Sequence, residues 1–533
     1  MHRVTYFKLL LIPLLLLILA HGGWGQGDAD LQEQAKLYIN VLKQVQQRYV
    51  EKTDYGVLTR YAIDGMLREL DPQSIFIVKE QTSEIGQLVR NEQSVPYHTG
   101  IHLESLNGIL TVQSITAASS AELAGIMSGD QILTVNGRPS YALPEEEMKA
   151  VGTGNPGQAV AMTVRRLGAP SVFDVVLRYA PLPEESILAA FLLDDGKTGY
   201  VRMVKFGKNV SDNFTELVQW LLENGMQQLI IDIRGNTGGY FQPIIEILDP
   251  FFTASQQLLS TRGQSELSTR EYKSELDMKY DFPVILLTDR NTSSGGEIFA
   301  GVMQDGDRAL IAGETTRGFG AIANAFMISR DATLKLTTAY YYFPSGRSIN
   351  RNLGREELAY SSVVNRDLWG ESGFNAAHAF KTKAGRTVYG ENGVNPDYRI
   401  DRHEFDGFVS KLLRHQVFMR FAEIFINTGM NTFDDFESYN KAFAFDEHMR
   451  TMLRKEIESV NIEFHQETFD RNIQDIQGLI KAEIAKQLWG YQAFYRVRVN
   501  VTPEVDQVLS LFPKAETLLN VYLGKESYLG NNR

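Results

Sequence analysis

The chain has 533 residues, 43% of them hydrophobic and 22% charged, with a formal net charge of −12 and no cysteine. That composition excludes a mainly disordered, collagen-like or multi-span membrane chain, and at roughly 100–200 residues per domain it allows about three or four domains. The acidic balance argues against nucleic acid, whose phosphates need clustered Lys and Arg. The missing cysteine removes disulfides, thiolate zinc sites, thiol nucleophiles and a lipoprotein anchor, so covalent catalysis is left to Ser, Thr, Lys or a carboxylate.

Residues 1–8 carry Arg3 and Lys8 and no acid, and residues 9–20 are uninterrupted apolar. Twelve residues of helix rise about 18 Å, short of the ~30 Å hydrocarbon core. Small residues follow at Ala20, Gly22, Gly23 and Gly25. This layout predicts a secretory signal peptide over residues 1–25, with an uncleaved N-terminal anchor as the alternative. A cysteine-free exported protein fits a bacterial periplasm or cell envelope, with no stable membrane span once the signal is removed.

Residues 28–95 read as helical, with Asp71-Pro72 as a stop inside the segment. Residues 96–180 change to short strands punctuated by glycine. Alternation in Ile109–Ile115 and Val160–Arg166 predicts half-buried strands, Ala121-Glu122 opens a short helix, and Asn136-Gly137 is a hairpin signal. This segment resembles a PDZ domain of the kind found in bacterial proteases. The resemblance implies capture of a chain terminus by strand addition, with Gly100, Ile101, His102 and Leu103 at the peptide-binding edge. His98 and His102 are read as ordinary rim residues or as modifiers of peptide choice.

Residues 185–400 alternate strand-like and helix-like runs, as layered α/β or α+β domains do. Two motifs stand out there. Leu229–Phe241 runs from an apolar strand into Arg234-Gly235-Asn236-Thr237-Gly238-Gly239. Consecutive glycines let backbone N–H groups approach a ligand and stabilise an oxyanion, although most such turns are only turns. Val284–Gly306 reads strand, polar turn, helix, with Ser294 at the helix start. A hydroxyl there faces unpaired helix N–H groups and the positive end of the dipole, which suits a nucleophile and equally suits a helix cap.

In order and kind these motifs are similar to those of the C-terminal processing (tail-specific) serine peptidases, over about residues 38–400. Ile231-Asp232-Ile233-Arg234-Gly235-Asn236-Thr237-Gly238-Gly239 resembles that family's Asp-Leu-Arg-Asn-x-Gly-Gly turn. Asn291–Asp305 resembles its nucleophile segment, and Leu334–Asn350 and Phe380–Tyr398 its later strands and closing Gly-Pro-Asp region. The resemblance implies an α/β (α+β) multidomain fold. A ClpP/crotonase-like mixed-sheet peptidase core (185–400) follows an inserted β-rich PDZ domain (96–180), between helical N-terminal (28–95) and C-terminal (401–533) segments. It implies Ser294 as nucleophile, Gly238, Gly239 and Gly295 as oxyanion hole, and Arg234, Asn236 and Arg317 as supports. Substrates would be protein or peptide C-termini, with no metal and no cofactor.

One position departs from the family. Its lysine base falls, in ungapped register, on Phe319 within Gly313–Ala323. A hydroxyl is a weak nucleophile without a base, and phenylalanine cannot serve as one. Arg317 stays protonated and suits a carboxylate or an oxyanion instead. Three accounts follow. Another residue supplies the base, with His98, His102, His378, Glu314, Glu391, Lys205 and Lys335 as candidates. Or the chain is a pseudopeptidase that binds through its PDZ groove. Or a local shift or a partner chain delivers a lysine. Residues 401–533 read as amphipathic helices whose aromatic stripes are core by preference, or else serve a homodimer or an adaptor.

Overall fold

A computed structural model describes residues 26–526, apart from residues 72–73, 79–96, 107–108, 128, 145–146, 149–150, 156, 167–168, 170, 183–184, 351–377, 401, 429–432 and 502. The expected signal peptide therefore lies outside the described residues. The chain divides into two compact units, residues 1–83 with 325–336, and residues 84–324 with 337–533.

In the first unit, α1 (Gln26–Arg48) and α2 (Tyr55–Arg68) are helical as their periodicity predicts. Asp54 caps α2 by accepting from the Val57 N–H at 3.0 Å. The helical reading does not hold beyond the Asp71-Pro72 stop. Ile75–Val78 is a strand, paired antiparallel with Ala332–Lys335. The run Ile-Phe-Ile-Val is β-branched and aromatic, which suits a pleated surface better than a helix. The rest of that expected helical segment, residues 79–95, is outside the described residues.

The second unit begins with an antiparallel sheet. Its strands β1 (Ile101–Leu106), β2 (Ile109–Ile115), β3 (Gln131–Val135), β4 (Ala159–Arg165) and β5 (Phe173–Arg178) pair in chain order. The short helix α3 (Ser120–Leu123) is capped by Ser119. Asn136 and Gly137 both take positive φ, the two-residue turn their sequence predicts. Arg166 locks the Asp130 turn through a 2.6 Å ion pair.

The central sheet is mixed. Its strands β6 (Ile187–Leu192), β7 (Thr198–Met203), β8 (Gln228–Asp232), β9 (Val284–Thr288), β10 (Leu310–Gly313) and β11 (Tyr398–Arg399) lie side by side. The β6–β7 pair is antiparallel and the others are parallel. One face is covered by α4 (Val210–Glu223), α5 (Phe241–Leu248) and α6 (Gly295–Asp305), through Val218, Ile247 and Phe299. The other face is covered by C-terminal helices, among them α7 (Gly407–Arg414), α8 (Val417–Asn427) and α9 (Ile473–Arg498). Phe418, Phe421, Phe425 and Phe494 are buried there, so the aromatic stripes of the tail are core. Gly490 breaks α9 with φ +79°. No helix of the described residues is long and apolar enough to cross a membrane.

Candidate active site

The two motif loops leave the C-terminal ends of β8 and β9, adjacent parallel strands. That is where an open α/β sheet forms its crevice. The loops are stitched together by backbone and side chain. The Ser293 N–H donates to the Asn236 carbonyl at 2.9 Å, and Thr292 Oγ1 donates to the Ile233 carbonyl at 3.0 Å. Asp289 Oδ1 accepts from the Gly235 N–H at 2.8 Å and the Thr292 N–H at 2.9 Å.

Ser294 sits immediately before α6 with φ +52° and ψ −118°. A non-glycine residue at positive φ costs on the order of 1–3 kcal/mol and persists only where its surroundings force it. Here the force is visible. The Ser294 N–H donates to Glu297 Oε2 at 3.0 Å, and a Cβ on Gly238 would lie 3.0 Å from Ser294 Oγ and 2.7 Å from the Gly295 nitrogen. Only glycine allows the first loop to pass so close to the hydroxyl.

The three expected oxyanion donors are not equivalent. The Gly238 N–H donates to Asn236 Oδ1, 2.9 Å away. Among the described residues the Gly239 and Gly295 N–H groups have no acceptor. Asn236 shapes the turn, since its Nδ2 also donates to the Met203 carbonyl at 3.1 Å. Arg234 is committed elsewhere. It binds Asp232 at 2.6 Å and Glu504 of the tail at 2.9 Å.

Glu297 is the residue the motif reading undervalued. Its carboxylate is fully buried and accepts from Thr316 Oγ1 at 2.5 Å, the Gly318 N–H at 2.6 Å, the Phe319 N–H at 2.8 Å and the Ser294 N–H. Burial raises its pKa, opposed by those hydrogen bonds. The pattern Ser294-x-x-Glu297 carries the signal, since Glu at that spacing reaches back to the N–H of the residue before a helix. One carboxylate oxygen thus holds both Ser294 and Phe319, and the Arg317 guanidinium lies 4.6 Å over the Phe319 ring centroid. The Arg317 N–H donates to the Thr292 carbonyl at 3.0 Å.

The other candidate bases are distributed. Glu314 pairs with Arg290 at 3.0 Å, and His378 Nδ1 lies 2.9 Å from Glu391 Oε2. Lys335 is opposite Ile75 in the first unit, and Lys205 is half-buried next to Phe206. His102 Nε2 is 3.1 Å from Thr116 Oγ1. Desolvation, then the charges of His98 and Arg317, lower the His102 pKa, which favours the neutral imidazole.

At the expected peptide-binding edge, β1 pairs with β2 alone among the described strands, and an edge of this kind can accept an added strand. Gly100 has φ +83°, and a Cβ there would fall 2.1 Å from that of Ser119. Ile101 points into the small core at 4% exposure, Leu103 is half-buried and His102 is exposed. Ile101 therefore offers backbone rather than side chain to a ligand.

Residues 197–356 match peptidase family S41, residues 98–177 match a PDZ domain, and residues 408–490 match a family of unknown function (DUF8443). The chain is 26% identical over 329 residues to the carboxy-terminal processing protease CtpB of Bacillus subtilis, covering 61% of this chain and 68% of that one. It is 25% identical over 339 residues to a carboxy-terminal-processing protease of Bartonella bacilliformis, covering 63% and 76%. The photosystem II D1 C-terminal processing protease overlays on 71% of this chain and 96% of its own, with 23% identity and a TM-score of 0.48.

Proposed function

We propose that this chain, which carries an S41 peptidase domain and a PDZ domain, is an exported serine-type endopeptidase of the C-terminal processing kind. A protein C-terminus is captured along the β1 edge, and Ser294 attacks a peptide bond of the captured chain. The carrying observation is Ser294 itself, held at positive φ at the start of α6 against the Gly238-Gly239 turn. Attack converts a carbonyl to an oxyanion, and the Gly239 and Gly295 N–H groups are the donors without another acceptor. The proton leaves Ser294 Oγ to a base other than residue 319, whose phenyl ring cannot accept it. Export rests on the basic and apolar run of residues 1–20.

A second reading has its own observation. Phe319 shares a carboxylate oxygen with Ser294 and carries Arg317 over its ring. A chain with an apolar group in that place and no other base is a binding protein that retains the peptidase scaffold.

Fragment mapping by mass spectrometry on an unfolded substrate separates the two. The peptidase reading expects fragments from wild type and none from Ser294→Ala. Equal release by wild type and Ser294→Ala rejects Ser294. No release from wild type, with release gained on Phe319→Lys, establishes the binding-protein reading.

A further inference from the structure

A cavity of about 970 Å³ opens between α3, the ends of β9 and β10, and the tail. Its size falls within the range of about 300–1,000 Å³ usual for small-molecule sites. Eight arginines line its walls, and four of these guanidinium groups are committed to ion pairs. Arg166 pairs with Asp130, Arg202 with Asp232 and Glu122, Arg234 with Asp232 and Glu504, and Arg290 with Glu314.

Arg498 is different. Among the described residues it has no ion pair, and its Nη1 is buried without a hydrogen-bond partner. Its guanidinium lies 5.2 Å from the centroid of the Phe405 ring. Burial, then the charges of Arg402 and Arg234, push its pKa down to about 10, so it remains a cation at neutral pH. Glu504 and Glu483 act against that lowering, but neither makes an ion pair with Arg498 among the described residues, and Glu504 already accepts from Arg234 at 2.9 Å and the His403 N–H at 2.7 Å. In the same wall, His403 Nε2 is also buried without a hydrogen-bond partner. A buried N–H donor left without an acceptor is unfavourable, more so on a charged group. Planar N–H donors match carboxylate and phosphate oxygens better than other partners.

We propose that this cavity is a binding site for a small oxyanion ligand, a carboxylate- or phosphate-bearing molecule, held by the guanidinium groups of Arg498 and Arg402. The site is separate from the Ser294 crevice and does not depend on peptidase activity. It adjoins Arg234, whose neighbour Gly235 begins the glycine turn, and Glu122 of α3.

The test is calorimetric titration of the full chain with inorganic phosphate and, separately, citrate, against sodium chloride at equal ionic strength. Saturable one-to-one binding of either anion is expected, weakened about tenfold or more in Arg498→Gln and in Arg402→Gln. Phosphate binding alone marks a phosphate ligand and citrate binding alone a polycarboxylate. A matching rise in unfolding temperature is expected in wild type, and a smaller one in both variants at the same anion concentration. No saturable binding up to about 10 mM overturns the site. So does binding unchanged in both variants. Arg498→Lys, which keeps the charge, covers the case in which Arg498→Gln does not fold.

Discussion

Asp232 and Glu297 are both fully buried carboxylates, and each anchors one of the two motif loops. They are stabilised in opposite ways. Asp232 is ringed by cations and a phenol, with Arg234 at 2.6 Å, Arg202 at 3.3 Å and the Tyr200 hydroxyl at 2.7 Å. Burial works to raise its pKa, but Arg234 and Arg202 outweigh burial and hold it well below the usual carboxylate range. Glu297 has no cation among its hydrogen-bond partners, only three backbone N–H groups and one hydroxyl. Its pKa is raised. The first carboxylate belongs to a long-range clamp that reaches Glu504 in the tail. The second is a local hub that fixes Ser294 relative to residues 316–319. Charge pairing ties distant segments together, whereas a carboxylate fed by N–H donors sets backbone geometry within a few ångströms.

The largest effect that would break this contrast is Asp232→Ala. Removing one partner of a buried ion network costs about 3–5 kcal/mol, and denaturant unfolding should show a loss of that size. A loss under about 1 kcal/mol, the range of surface pairs, would mean the clamp adds little. Glu297→Gln comes next. A glutamine oxygen cannot accept from all four donors, and leaving buried donors unmet costs about 1–3 kcal/mol. Faster amide exchange in residues 316–319 should accompany the loss, and unchanged exchange there would refute the hub.

The pH dependence of stability sharpens the comparison further. Glu297, raised above its ordinary value of 4.5, binds more protons folded than unfolded, so its contribution falls as pH rises from about 4.5 through the folded pKa. Asp232 is depressed, so its contribution is present above its ordinary value of 3.8 and is lost as pH falls through the folded pKa. Unfolding free energies between about pH 3 and 7 should flatten at the upper end in Glu297→Gln and at the lower end in Asp232→Asn. Identical profiles for wild type and both variants would overturn the assignment. The smallest effect expected is at Ser294. Ser294→Gly removes the side chain that resists positive φ and should match or exceed Ser294→Ala in stability, by up to about 1 kcal/mol.

Much of this was legible in the chain. The strand–glycine–helix patterns placed both loops because turns and helix starts are local, and the Asn136-Gly137 turn formed as written. The aromatic spacing of the tail marked core because helical faces repeat locally. The roles of Arg234 and Gly238 were not legible. Arg234 finds Glu504, 270 residues away in sequence, and the Gly238 N–H is taken by a side chain two residues back. Nor does sequence signal that His378 and Glu391 meet, since their approach depends on the hairpin of Ala379–Lys381 with Thr387–Tyr389. Sequence is equally silent on Arg498 Nη1, which is buried without a hydrogen-bond partner, since that depends on packing between distant segments.

Gln492, just past the Gly490 break, gives the tail a further consequence. Its side-chain amide accepts from the Ala190 N–H at 2.9 Å and donates to the Ala190 carbonyl at 2.8 Å, as a neighbouring strand would. Ala190 lies on β6, the outermost strand of the central sheet. Cutting away the tail would uncover an apolar sheet face and unlatch that strand's outer edge in a single event. Unpaired edges recruit other chains, so truncation should yield self-associating material rather than a smaller folded protein.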